Sequence, residues 1–334
     1  FNPFIPLNDM DSSIPGAFFE IQIENSSDHI ILYTVCLSVS NPFKNGTAIN
    51  TYTSKGDFHF IKLTSNEYGP DEFAFGDITV ATQCDDVSYQ EYWYRGSWFD
   101  NLQMFWRDFT KPGKLINRTY KVQNENSHTY SGSDVSSLAA HIQIEPRQAK
   151  CVRFIITWNF PNCYNYWNPE KCCCGDGCCD TGKPKIWKNY YATVFEDSVV
   201  SARYALENWE RLYGDTLEFK EALFESTIPS VALEAVSANI SILKTPTCLR
   251  LEDGSFYGWE GCHPDAGCCE GSCTHVWNYA YALPFLFPKL ERSMRELDFK
   301  YNQRMDGGMS FRLQLPLGRE RSKFRPCADG QFGG

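Results

Sequence analysis

Residues 18–24 read Phe18-Phe19-Glu20-Ile21-Gln22-Ile23-Glu24, and apolar and polar side chains nearly alternate along this stretch. Successive side chains of a strand point to opposite faces, so a period of two predicts a half-buried strand. The short polar residues at 25–28 favour a turn. The alternation continues from Ile30 to Val39, which predicts a second strand.

The same kind of pattern recurs up to about residue 160. It predicts further strands at residues 58–63, 77–82, 141–144 and 150–159. Short strands between turns rich in Gly, Asn, Ser and Asp are typical of antiparallel sandwiches. Residues 1–160 are therefore predicted to form an N-terminal antiparallel β-sandwich domain.

The pattern changes at Pro161. Residues 161–188 are rich in Pro, Cys, Gly and Asn and are predicted to form a connector. Apolar residues at helical spacing follow Asp197, which suits an N-cap, and recur after Pro229 and between residues 274 and 299. Before the last of these segments, a short extended stretch from Leu249 to Trp259 is predicted to turn at Asp253-Gly254. Strands followed mainly by helices predict a multidomain α+β protein, with residues 189–334 as the helical domain.

The composition bears on nucleic-acid binding, on membrane spans and on a signal peptide. The chain of 334 residues has a formal charge of −10 and no basic cluster, so no nucleic-acid partner is expected. It contains no run of about 18 apolar residues, so no transmembrane segment is expected. The first six residues lack a basic region followed by an apolar core, so they are not interpreted as a signal peptide.

The cysteines are crowded. Ten of the 15 lie within residues 163–179 and 262–273. Disulfide-rich secreted domains are usually short, so this crowding favours a reducing compartment and a cytoplasmic location. Thiolates close in sequence can hold a tetrahedral structural zinc ion, here on Cys262, Cys268, Cys269 and Cys273. Disulfides and buried thiols are the alternatives, and no cofactor is expected to be required for catalysis.

Three longer stretches carry a resemblance to a known family. They are residues 251–261, which read LEDGSFYGWEG, residues 268–279, which read CCEGSCTHVWNY, and residues 287–296, which read FPKLERSMRE. Shorter matching stretches lie at residues 4–9, 11–15, 187–192 and 207–210. Together they are similar to bacterial members of glycoside hydrolase family 116, which are related to the non-lysosomal glucosylceramidases.

The resemblance implies an N-terminal β-sandwich followed by part of an (α/α)6 barrel, whose remainder is expected C-terminal to residue 334. It also implies a retaining β-glycosidase that hydrolyses a carbohydrate or glycolipid through a covalent glycosyl-enzyme. The family's nucleophile is the Glu of a short aromatic-or-leucine–Glu–Gly motif. Here that motif is Trp259-Glu260-Gly261, so the resemblance assigns the role to Glu260.

Three departures from the family pattern limit what is carried over. The family's acid/base Asp, which follows a Thr-Tyr pair, has no counterpart before Gly334 and is expected outside this chain. Residues 313–318 lack the His-Asp pair that contacts sugar in the glucosylceramidase branch, and Thr274-His275 stands where that branch has an Asp. The sugar specificity therefore stays open.

The chemistry of retaining hydrolysis suggests further site residues. It uses two carboxyl groups about 5–5.5 Å apart, and an ionised nucleophile needs positive charge or hydrogen-bond donors nearby. His275 or Arg312 would supply these, and Trp259 would form a floor for the sugar ring. Asp265 and Glu270 are the nearest carboxylates in sequence and would bind hydroxyls or act as the acid. The predicted substrate-binding residues are Trp259, Asp265, Glu270, His275, Trp277 and Arg312.

The sequence leaves two other functions open. A non-catalytic carbohydrate-binding fragment fits the aromatic content of 15% and the missing acid/base. A cysteine-rich metal or redox protein fits the cysteine clusters, but the chain lacks a C-x-x-C motif in a βαβ context. Asp329 and Gln331 lie in a stretch that resembles a family loop, and they are weaker site candidates.

Overall fold

The structure, a computed structural model, describes residues 1–43, 46–96, 98, 100–111, 113–120, 133–164, 186–260, 272–274, 280–315, 317 and 325–333. The chain forms two compact units. The sheet unit consists of Phe1–Asn2, Ile14–Phe160 and Phe195–Arg211, and the hairpin unit of Pro3–Ser13, Pro161–Val194 and Leu212–Gly334. The predicted domain boundaries at residues 160 and 188 stay a prediction.

The first elements of the chain are mostly strands. In chain order they are β1 (Gly16–Glu24), β2 (Ile31–Ser40), β3 (Ala48–Lys55), β4 (Phe58–Ser65), β5 (Asp77–Thr82), β6 (Val87–Gln90), α1 (Asp100–Thr110), β7 (Val135–Ile144) and β8 (Ala149–Asn159). Five strands form one sheet in the order β1-β8-β5-β4-β3, and three form another in the order β2-β7-β6. Every pairing in these two sheets is antiparallel, which confirms the predicted antiparallel strand region.

Both sheets contribute to one hydrophobic core. Ile61, Val80 and Phe154 of the five-stranded sheet pack in the same cluster as Leu138 of the three-stranded sheet. All four side chains are at most 2% exposed. Alternation along the strands places these residues on the inner faces, which is why the period of two was informative.

The helix α1 was not predicted from the sequence. Its aromatic residues lie three or four positions apart, which is the spacing of one helix face. Phe105 stacks on Trp93 with ring centroids 4.3 Å apart, and on Phe109 at 5.8 Å. The prediction for residues 1–160 contained only strands, so this helix corrects it.

The later elements are short strands and helices. In chain order they are β9 (Asn162–Tyr164), β10 (Ile186–Lys188), α2 (Tyr191–Val194), α3 (Ser198–Glu207), α4 (Trp209–Phe224), α5 (Ser230–Ile240), β11 (Cys248–Arg250), β12 (Phe256–Gly258), β13 (Ser272–Cys273), α6 (Leu283–Leu286), α7 (Pro288–Leu297), β14 (Arg312–Leu313) and α8 (Ala328–Gly333). A π-helical turn, Asp298–Asn302, continues α7. Across the described residues these helices do not close into a barrel, so the (α/α)6 portion stays a prediction.

Helix α3 belongs to the sheet unit and is fixed there by polar contacts. Asp197 caps it as predicted, because its Oδ1 accepts from the Val200 N–H at 2.9 Å. Thr157 Oγ1 donates to the Ser198 carbonyl at 2.6 Å, and Asn159 Nδ2 donates to the Phe195 carbonyl at 2.9 Å. Buried threonine and asparagine side chains of β8 therefore satisfy carbonyl groups at and just before the start of α3.

None of the helices that the structure describes is long and apolar enough to cross a membrane.

Candidate active site

The segment before Glu260 is a tight hairpin. Strands β11 and β12 pair antiparallel from Cys248↔Gly258 to Arg250↔Phe256. The turn between them contains Gly254 at φ +83°, a left-handed conformation that glycine adopts without steric cost. Asp253 Oδ1 accepts from the Ser255 N–H at 2.9 Å, an Asx-type turn bond. The predicted turn at Asp253-Gly254 is confirmed, and it directs the chain into Trp259-Glu260.

Trp259 is buried. Its side chain is 1% exposed and packs with Trp187, Tyr257, Leu313 and Leu315. Its backbone N–H donates to the Thr247 carbonyl at 2.9 Å. The residue therefore fixes the backbone just before Glu260. Its predicted role as the floor of a sugar ring stays a prediction.

Glu260 is exposed at the end of this buried segment. The strand before it is held by Ser272 of β13, whose Oγ accepts from the Gly258 N–H at 3.2 Å and donates to the Gly258 carbonyl at 3.3 Å. The exposed Glu260 thus follows a backbone that is held by Thr247 on one side and by Ser272 on the other. This is the arrangement that a nucleophile with a defined position requires.

Two more predicted site residues meet this segment. Strands β13 and β14 pair antiparallel, with Cys273 opposite Arg312. Burial raises the pKa of the Cys273 thiol, and hydrogen bonds with the Arg312 side chain and the Glu260 backbone oppose this rise. The charges of Glu260 and Arg312 also act on this thiol, in opposite directions. The fold therefore brings Glu260, Cys273 and Arg312 together from three separate stretches of sequence.

The remaining predicted site residues lie outside the described residues. They are Asp265, Glu270, His275, Trp277, Cys262, Cys268 and Cys269. Within the described ranges, no group of three or more His, Cys, Asp or Glu side chains is placed to hold a metal ion. Cys273 is the one predicted zinc ligand that the structure describes, so the zinc site stays a prediction.

Helix α8 packs closely against Thr274, the residue after β13, a contact that no sequence motif indicated. A Cβ atom on Gly330 of α8 would lie 2.3 Å from Thr274 Oγ1 and 2.9 Å from Cys327 Sγ. Thr274 Oγ1 in turn donates to the Phe311 carbonyl at 3.0 Å. Only a residue without a side chain permits this close approach, and an isolated glycine near a cysteine gave no recognisable motif.

Asp329 and Gln331 are placed close to this contact. Asp329 Oδ1 accepts from the Cys327 thiol at 2.8 Å. Gln331 Nε2 donates to the Gly307 carbonyl at 3.1 Å, and its Oε1 accepts from the Met309 N–H at 3.3 Å. These contacts brace loop backbone and the start of α8. A role for either residue toward a ligand stays a prediction.

The comparisons with known proteins bear on the first part of the chain. The family model described as beta-glucosidase 2, glycosyl-hydrolase family 116 N-term, matches residues 1–212. No curated protein matches the chain significantly. The matched segment contains the sheet unit and ends before Glu260. Because it covers more than half of the 334 residues, the chain belongs to glycosyl-hydrolase family 116.

Proposed function

We propose that this chain supplies the nucleophile of a retaining β-glycosidase, and that the nucleophile is Glu260. The observation that carries the proposal is the exposed Glu260 at the end of a buried hairpin, with Cys273 hydrogen-bonded both to the Glu260 backbone and to the Arg312 side chain. We propose that the positive charge of Arg312, which contacts Cys273, favours the ionised form of the Glu260 carboxylate. An ionised carboxylate is the form that attacks an anomeric carbon.

The proposed reaction has two displacements. In the first, a Glu260 carboxylate oxygen forms a bond to the anomeric carbon while the bond to the leaving oxygen breaks, and a carboxylic acid protonates that oxygen. In the second, the same acid, now a carboxylate, takes a proton from water, whose oxygen displaces Glu260. The sugar leaves with its β configuration retained, and both carboxyl groups return to their starting states.

The second carboxyl group is not assigned within the described residues. We propose that the acid/base lies C-terminal to this chain, with Asp265 as the first alternative inside it. Asp265, Glu270, His275 and Trp277 are proposed to contact the sugar, since they follow the nucleophile closely in sequence. The proposed substrates are β-linked glucosides or xylosides, as free carbohydrate or as glycolipid.

A structural zinc ion on Cys262, Cys268, Cys269 and Cys273 remains part of the proposal. The four thiolates would brace the segment after Glu260 and take no part in the chemistry. Elemental analysis of protein purified under reducing conditions tests this, and less than about 0.1 metal ion per folded chain contradicts a four-cysteine site. The cytoplasmic location, which rests on the cysteine pattern, also stays a prediction.

The experiment that tests the function is covalent labelling of the full-length protein. A β-configured 2-fluoro glycoside with a good leaving group should form a stable adduct on Glu260, found by peptide mass spectrometry. Glu260→Gln should abolish the adduct and lower kcat by about 10⁴–10⁶-fold, as removal of a nucleophile does in other enzymes.

Glu252→Gln is the matched control, because Glu252 is an exposed carboxylate on the same hairpin. It should leave labelling and kcat unchanged. An adduct on Asp265 or Glu270 contradicts the assignment of Glu260. Sugar binding without any adduct favours the non-catalytic carbohydrate-binding alternative.

A further inference from the structure

A carboxyl group outside the proposed reaction is buried at the end of α7. Asp298 is 3% exposed, and its Oδ1 has no hydrogen-bond partner in the part of the chain that the structure describes. A buried carboxylate oxygen without a partner loses its hydration and gains nothing in return. The geometry therefore disfavours the ionised form of Asp298.

The nearby charges do not compensate for this burial. Arg295 Nη1 lies 3.6 Å from Asp298 Oδ2, while Arg295 Nε donates to Glu291 Oε1 at 2.6 Å. One guanidinium thus serves two carboxyl groups, and Glu291 has the shorter bond.

The titration of Asp298 follows from these contacts. Burial raises its pKa from the ordinary 3.8 to about 7, Arg295 opposes the rise, and Glu291 adds to it. Tyr257 on β12 interacts electrostatically with Asp298 from another element, and burial raises the pKa of Tyr257 to about 12. Near neutral pH the Tyr257 hydroxyl is therefore protonated and carries no charge toward Asp298.

Asp298 lies at the base of the core that holds the segment before Glu260. Its neighbours Leu297 and Tyr301 pack in the same cluster as Tyr257, Trp259 and Leu313. Tyr257 and Trp259 are each 1% exposed. An ionised Asp298 would have to draw water or its counter-ion toward this cluster, which loosens the packing beneath the hairpin.

We propose that Asp298 is a proton switch in the hairpin unit. Protonated, it fits the core beneath β12, and its ionisation toward and above neutral pH weakens that core. The switch itself does not depend on the proposed function. Its consequence for catalysis, a less well positioned Glu260 above neutral pH, rests on the proposed function.

The direction of the effect follows from linkage. The pKa of Asp298 is higher in the folded than in the unfolded chain, so its stabilising contribution is complete below about pH 4. It is lost as the pH rises toward the folded pKa of about 7. Within this pH range Asp298 is protonated in the folded chain but ionised in the unfolded chain. The titration of Asp298 therefore lowers the folding equilibrium constant about tenfold per pH unit.

The test is urea unfolding of the wild-type chain and its variants between pH 4 and pH 9, read as the ratio of their folding constants. In Asp298→Asn the neutral amide replaces the neutral acid and cannot ionise. The ratio of its folding constant to that of the wild type should therefore rise by up to about tenfold per pH unit between about pH 4 and 7. Glu296→Gln, an exposed carboxylate on the same helix, is the matched control and should track the wild type. An Asp298→Asn curve parallel to the wild-type curve overturns the proposal.

A second variant covers the case in which Asp298→Asn does not fold. Glu291→Gln removes the carboxylate that competes for Arg295, so the loss of stability should move to lower pH. An unchanged window overturns the proposal.

Labelling of the full-length protein separates the switch from the function. The rate of adduct formation on Glu260 should fall more steeply above neutral pH in wild type than in Asp298→Asn, and equal pH profiles overturn the catalytic consequence. No adduct in either protein at any pH overturns the proposed function, and the unfolding data then decide on the switch alone.

Discussion

The sheet unit and the hairpin unit are stabilised in different ways. Strands β1, β2 and β8 have 9, 10 and 11 residues and pair along almost their full lengths. Strands β9 to β14 have three residues at most. Long ladders hold the first unit mainly through backbone bonds and a continuous core. In the second unit, side-chain contacts between short pieces carry more of the structure, including the segment that presents Glu260.

One aspartate in each unit has a shifted pKa, and the two shifts have opposite directions. Burial alone would raise the pKa of Asp197 in the sheet unit, but Lys62 and the N–H groups of α3 lower it below its ordinary value. Its stabilisation is therefore present at neutral pH and lost in acid. Asp298 in the hairpin unit stabilises in acid and loses its contribution as the pH rises to about 7. The effects differ because Asp298 is the more deeply buried and shares Arg295, at 3.6 Å, with Glu291, whereas Asp197 is partly exposed and has Lys62 at 2.8 Å.

The largest effect is expected where the N-terminal segment is held in the hairpin unit. Arg250 Nη2 donates to Asp9 Oδ2 at 2.6 Å, both side chains are about 15% exposed, and the guanidinium lies 3.4 Å from the centre of the Tyr190 ring. Arg250→Met should destabilise the hairpin unit by about 3 kcal/mol, because it leaves Asp9 with an uncompensated charge. Urea unfolding measures this.

Asp9→Asn in the Arg250→Met background is the control for that prediction. It removes the uncompensated carboxylate, so the double variant should recover part of the lost stability. A loss below about 0.5 kcal/mol for Arg250→Met, the range of ordinary surface changes, would show that the side-chain network does not hold this unit.

A smaller effect is expected at the contact between α8 and the residues next to the paired strands β13 and β14. Gly330→Ala should destabilise the hairpin unit by about 1–3 kcal/mol, because the new methyl group cannot fit beside Thr274 without a shift. Gly214→Ala is the matched control, since a Cβ at this exposed position of α4 meets no atom within 4 Å. It should stabilise by about 0.5–1 kcal/mol through helix propensity. Equal responses at the two glycines would contradict the close packing of α8.

The smallest effect concerns the cap of α3 in the sheet unit. Asp197→Ala should cost about 1 kcal/mol at neutral pH, because it removes the N-cap bond to Val200 and the 2.8 Å contact with Lys62. The cost should shrink as the pH falls below about 4, where the wild-type carboxylate becomes protonated. A cost that is the same at pH 3 and pH 7 would show that the charge of Asp197 contributes nothing.

The sequence predicted best where local chemistry and tertiary structure agree. Alternation along residues 18–24 and 30–39 predicted β1 and β2, Asp197 predicted the cap of α3, and Asp253-Gly254 predicted a turn. In each case the residues that carry the signal are adjacent in the chain. The (α/α)6 barrel and the residues after Glu260 stay predictions from the family resemblance.

The sequence did not predict the break between α3 and α4. The helical pattern from Val199 to Tyr213 predicted one helix, but α3 ends at Glu207 and α4 begins at Trp209. At the break, Asn208 Nδ2 donates to the Tyr204 carbonyl at 2.9 Å. Asparagine competes for helix carbonyls in this way only in some contexts, so the periodicity alone did not reveal the break.

By itself the sequence determined the antiparallel strand region, the cap and turn positions, and the identity of Glu260 as the candidate nucleophile. The strand region and the cap and turn positions depend on residue order over short distances, which periodicity and local residue type report directly. The assignment of Glu260 depends on the resemblance to a family. Only the tertiary structure decided that Cys273 bonds with both the Glu260 backbone and Arg312, that Gly330 must lack a side chain, and that Asp298 is buried beside a shared arginine. Strands of two or three residues show no periodicity, and burial is a property of the surrounding atoms rather than of the residue itself.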